Sequence, residues 1–73
     1  MPDGFKSLSY SLPVYYVYVN MGKRRVYLTT RKIAGGGWRL VAVRRRRELA
    51  MFVARRIADR LDYVLEWDAP TCN

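Results

Sequence analysis

"LPVYYVYVN", residues 12–20, decides how this chain folds, because both of its alternating faces are apolar or aromatic. Aromatic and β-branched residues fit a pleated strand better than a helix, and strand side chains alternate with period two. Val14, Tyr16 and Tyr18 fall on one face, Tyr15, Val17 and Val19 on the other. One packing layer covers only one face. The second must be exposed, buried in a dimer or used on a partner, and self-association through Val14, Tyr15, Tyr16, Val17 and Tyr18 is the expectation, with edge pairing of twin strands as one route.

Downstream, "NMGKR" carries a turn signal at Gly22, whose missing Cβ allows positive φ, so a hairpin follows. The second strand, "RRVYLTTRKI", places Val26, Leu28 and Thr30 on one face and Arg25, Tyr27, Thr29, Arg31 and Ile33 on the other. "AGGG", residues 34–37, reads as a flexible connection. It lacks the Lys and Ser or Thr of a phosphate-binding loop and leads into a strand. In "WRLVAVR", Trp38, Leu40 and Ala42 are assigned inward, against Arg39, Val41 and Val43.

From about Arg46 to Glu66 the period changes. Leu49, Val53, Ile57, Leu61, Val64 and Leu65 recur at spacings of three and four, one stripe of a helix. Met51, Arg55, Asp59, Asp62 and Glu66 lie opposite, and Arg44 with Glu48 and Arg55 with Asp59 have the spacing of helical ion pairs. The expected fold is therefore α+β: a three-stranded antiparallel sheet packed on one C-terminal amphipathic helix. Its parts are an irregular N-terminal segment (1–11), a single β-β-β-α domain (12–66) and a C-terminal tail (67–73).

Charge is segregated along the chain. The net charge is +8, and residues 23–47 hold ten cations and no acid, whereas residues 61–73 hold only acids. Such a field favours polyanionic partners. The run Arg44, Arg45, Arg46, Arg47 stands where the helix dipole disfavours cations, with no Ser, Thr, Asp or Asn to cap the free amides. Asp62, Glu66 and Asp68 stand at the opposite, equally unfavourable end. A phosphate at the helix start would accept from the amides and pair with the arginines together. On the outer sheet face, Arg25, Tyr27, Thr29, Arg31 and Arg39 interleave cations with aromatic and hydroxyl groups, suited to phosphates, base edges and stacking. Lys23, Arg24 and Lys32 add phosphate contacts.

Other functions find little support. There is no histidine, and the lone thiol, Cys72, lies at the C-terminal end, so acid–base catalysis and a zinc site both lack groups. No enzyme activity, cofactor or metal is expected. The single cysteine also excludes an intrachain disulfide and suits a reducing, cytoplasmic setting. No apolar run reaches the length of a membrane span, and the polar face of the helix carries as many acids as bases, unlike a membrane-surface helix.

Three strands followed by a packing helix, residues 12–66, resemble the arm-binding domain of tyrosine integrases and the plant ethylene-response DNA-binding domain. That resemblance implies that the outer sheet face enters the major groove, with Arg25, Tyr27, Thr29, Arg31 and Arg39 as readers. "RRRRELAMFVARRIA" is also similar to the last helix of double-stranded RNA-binding domains, which implies phosphate contacts for Arg44 to Arg47. The expected function is a small basic nucleic-acid-binding module, DNA ahead of RNA, acting alone or as a homodimer. The alternative is a small regulator or inhibitor, of the kind phages and other mobile elements encode, docking on an acidic protein partner or a nucleic-acid-binding groove.

Overall fold

A computed structural model of the chain describes residues 13–68. Strands β1 (Tyr15–Asn20), β2 (Arg25–Thr29) and β3 (Trp38–Arg44) are followed by helix α1 (Arg47–Leu61) and a fourth strand, β4 (Val64–Trp67). The class is α+β, but the sheet is four-stranded and mixed, in the order β3-β1-β2-β4, with β4 parallel to β2. The expected three-stranded antiparallel sheet is thus incomplete. The irregular segment expected over 1–11 lies outside the described residues, as does Cys72.

β4 was hidden because the apolar helical period runs through Val64 and Leu65 without a glycine to stop it. The stop is Asp62, in the left-handed conformation (φ 59°), one of the few non-glycine residues that tolerates it. The Asp62 and Tyr63 amides both donate to the Ala58 carbonyl, closing the last turn. Beyond it the chain returns along β2, with Val64 N–H donating to Arg24 O and Asp68 N–H to Leu28 O. Trp67 and Asp68, expected to open a tail, therefore continue the sheet.

The helix buries a different stripe from the one its large residues mark. Ala50, Ala54 and Ala58 are buried against Tyr15, Val17, Val19, Val26 and Leu28, while Leu49 and Leu61 are exposed and Val53 and Ile57 half-buried. The sheet supplies the bulk, so small residues on the helix let the two layers approach. Met51, Ile57, Tyr63, Leu65 and Ala42 close the margins. Each fully buried aliphatic side chain of this layer contributes about 1.5–3 kcal/mol.

β1 is the central strand, and both its edges are taken, by β2 and by β3. It is antiparallel to each, so β2 and β3 run the same way and residues 30–37 must return the length of the sheet. They do so across the face opposite α1. Ile33 N–H donates to the Tyr18 hydroxyl at 2.8 Å, and Tyr18 is only 3 % exposed although it lies outside the helix-side core. One apolar face of β1 is thus covered by α1, and on the other the connection reaches over Tyr18. Edge pairing of Val14 to Tyr18 with a twin strand is closed by the topology.

That connection is specified, not loose. Gly35, Gly36 and Gly37 have φ of 81°, 67° and 82°, conformations that side chains rarely adopt. In the hairpin, Arg24 (φ 56°) takes the left-handed position expected of Gly22. Asn20 ties the two loops together: its Oδ1 accepts from Lys23 N–H at 3.0 Å and its Nδ2 donates to Gly36 O at 2.8 Å. A β-bulge at Val41 shifts the register of β3, because Ala42 pairs with Val17 and Leu40 with Tyr18. Ala42 accordingly faces α1 as expected. Trp38 and Leu40 turn to the outer face, opposite to the expectation, and Arg39 turns towards the helix side.

Replacing Asn20 with Ala removes both bonds from a site that is 3 % exposed. The expected cost is about 1–3 kcal/mol, read as a lowered midpoint in urea unfolding; an unchanged midpoint would show that the loops hold without it.

Candidate nucleic-acid interface

The cations expected to act together are separated by the fold into five places. On the outer sheet face, Arg25 Nη1 pairs with Glu66 Oε2 at 2.7 Å and Arg31 Nη2 with Asp68 Oδ2 at 2.6 Å. The Tyr27 hydroxyl donates to the same Asp68 oxygen at 2.6 Å. Three of the proposed readers are therefore engaged by acids that were assigned to a helix end and a tail. Exposed ion pairs of this kind contribute little stability, about 0–1 kcal/mol. Their effect is on the field: each cancels a positive charge on the face proposed to meet phosphates.

Thr29 is fully buried, its Oγ1 accepting from Arg31 N–H at 3.1 Å. It is not available to a base edge. The ring of Tyr27 lies 5.6 Å from that of Trp38, a tilted pair placed by the turned register of β3. Lys32 is exposed on the connection, and Lys23 and Arg24 on the hairpin tip. Arg39 leaves the sheet face altogether and lines a groove of about 680 Å³ with Val19, Met21, Val41, Ile57 and Leu61.

The arginine run occupies the other end of the sheet, since Arg44 pairs in register with Tyr15 where β1 begins. Arg46 is the N-cap of α1, in extended conformation (φ −104°, ψ 133°), and its side chain makes no capping bond. Ala50 N–H to Arg46 O, at 3.1 Å, is the first bond of the helix. The amides of Arg47, Glu48 and Leu49 precede it and face outward along the axis. Arg44, Arg45 and Arg46 are exposed, and Arg47 is half-buried with its Nε shielded from solvent and without a partner. Arg44 Nη1 donates to Val43 O, and none of the four bridges to an acid among the described residues. The expected ion pairs Arg44 with Glu48 and Arg55 with Asp59 do not form.

The C-terminal half of the reversed-charge pattern keeps only one of its three acids, Asp62. Arg60 stands in the last turn, where the dipole favours a cation, while Glu66 lies in β4 and Asp68 directly follows it, neither in the helix. Asp62 remains as an acid at the C-cap, and at the start Glu48 in the first turn stands beside the arginines. Among the described residues no group of three or more His, Cys, Asp or Glu is placed to hold a metal ion, and no helix is long and apolar enough to cross a membrane.

Sequence reading missed Asn20, the acids of β4 and the groove. The composition of "DYVLEW", with Tyr, Val and Trp after a charged residue, was the available sign of a strand. No sign in the sequence marks the bulge at Val41. Comparison with protein-family models, with curated proteins and with solved structures returns no match.

Burial works to raise the Asp68 carboxyl, but hydrogen bonds from Tyr27 and Arg31 together with the Arg31 charge outweigh it and hold it below its ordinary value. The hydrogen bond to Asp68, followed by burial, raises the Tyr27 phenol. A carboxyl depressed in the folded state contributes stability above its unfolded pKa and loses it as pH falls through the folded value. Between about pH 5 and about pH 3, the unfolding free energy of the wild type should fall more steeply than that of Asp68→Asn. Parallel curves would show that the contact does not form in solution.

Proposed function

We propose that this chain is a small nucleic-acid-binding module, duplex DNA ahead of RNA, that holds phosphates at the corner where β3 runs into α1. The observation that carries the reading is the run of four arginines without acidic partners at an uncapped helix start. Backbone amides, the helix dipole and guanidinium donors converge there on the chemistry of a phosphate. The shielded Nε of Arg47 is a donor that an anion at this corner would satisfy.

The outer sheet face takes a lesser part than the resemblance to major-groove readers implies. Residues 30–37 cross it, Thr29 is buried under it, and Glu66 and Asp68 neutralise Arg25 and Arg31. Binding is then led by phosphate contacts and discriminates weakly among sequences. The activity is binding alone, with no cofactor and no catalytic step. An intracellular setting, where nucleic acid is met, goes with it. Docking on an acidic protein is the second reading, favoured by the groove beside Arg39.

Fluorescence anisotropy with duplex DNA and duplex RNA across a salt series tests this. Changing Arg44, Arg45 and Arg46 together to Gln should weaken binding equally on every sequence and flatten the slope of log affinity against log salt by about 0.9 per lost contact. Arg31→Gln should leave both nearly unchanged. Unaltered affinity and slope in the triple variant would refute the phosphate corner.

A further inference from the structure

Away from the arginine corner, the groove beside Arg39 carries an inference that rests on the second reading above, docking on an acidic protein. The groove of about 680 Å³ opens between the C-terminal half of α1, the hairpin tip and β3. Its floor is aliphatic: Val19 from β1, Val41 from β3, Ile57 and Leu61 from α1, with Met21 at the mouth. Met21 and Leu61 are 66 % and 42 % exposed, so the apolar surface is open to an occupant. Lys23 and Arg39 also line it, and neither pairs with an acid among the described residues. The groove adjoins β3, whose outer edge has no neighbouring strand among the described residues.

We infer that this groove docks an extended acidic segment of a partner protein, with a large aliphatic or aromatic side chain inserted between Val41 and Leu61 and flanking carboxylates on Lys23 and Arg39. The chemistry selects this occupant over two others. A nucleic acid would match the cations, but the lining holds no aromatic ring on which a base could stack. A second copy would match the apolar floor, but residues 38–47 of β3 and its exit carry five arginines and no acid. Pairing two such edges sets like charge against like charge. An acidic peptide satisfies both the floor and the rim, and the free edge of β3 offers main-chain groups to an extended backbone.

The test uses the full chain and two fluorescein-labelled synthetic peptides. One has a Leu-Phe pair between runs of Asp and Glu; the other has Ser-Ser in its place. The Leu-Phe peptide should bind at least about tenfold more tightly and shift the amide resonances of Met21, Lys23, Val41, Ile57 and Leu61. Leu61→Ser and Arg39→Gln, both at exposed positions, should each weaken it several-fold, while Leu61→Ser leaves duplex DNA affinity unchanged. Equal binding of the two peptides, shifts confined to Arg44 to Arg47, or no binding at about 1 mM peptide would each overturn the inference. Because the DNA arm is read separately, failure of the groove and failure of the phosphate corner are distinguishable.

Discussion

Everything else in this molecule depends on β1 being buried on both faces and paired on both edges. A strand of alternating Val and Tyr with no polar face is stable in water only if two layers cover it. Among the described residues one helix covers one face, and on the other the connection over residues 30–37 reaches over Tyr18. Three glycines with left-handed backbone make that loop's return into β3, and the Asn20 side chain pins it to the hairpin. The Tyr18 hydroxyl satisfies a backbone amide of the loop on the way. Polar groups on the covered face are thus paired, which burial requires.

The same arrangement decides where charge is free. Covering the sheet with residues 30–37 and adding β4 brings Glu66 and Asp68 to the outer face, against Arg25 and Arg31. The two cations closest to the expected reading surface are neutralised by the chain's own acidic end. Arg44 to Arg47 bridge to neither of those acids, because β3 and β4 are the two opposite edges of the sheet. Hence the proposed interface lies at a corner, not on the sheet. Its geometry favours positioning on a phosphate backbone over reading base edges.

The class of fold, the hairpin and the inward face of β2 were legible from composition and period two. Val26 and Leu28 are buried as their alternation requires. Three features were not legible, each for a physical reason. β4 continued the helical period and was divided from it by one left-handed Asp62, a position where sequence favours glycine. The helix packs by alanines, because contact distance, and not side-chain size, set its buried stripe. The bulge at Val41 reverses Trp38, Arg39 and Leu40, since a shift of one residue turns every side chain beyond it to the other face. That single shift moved Arg39 from the candidate reading face to the groove. The free arginine run was visible in the sequence; its isolation from acids required the position of β4.

The most direct measurement is an amide chemical-shift titration of the chain with a short DNA duplex at low salt. Expected are perturbations concentrated on Arg44 to Leu49, with Tyr18, Tyr27, Thr29 and Ile33 unmoved because their face stays covered. Perturbations spread over Tyr18, Tyr27 and Ile33, with the arginine run unaffected, would contradict the central claim and return the outer sheet face to the role of binding surface.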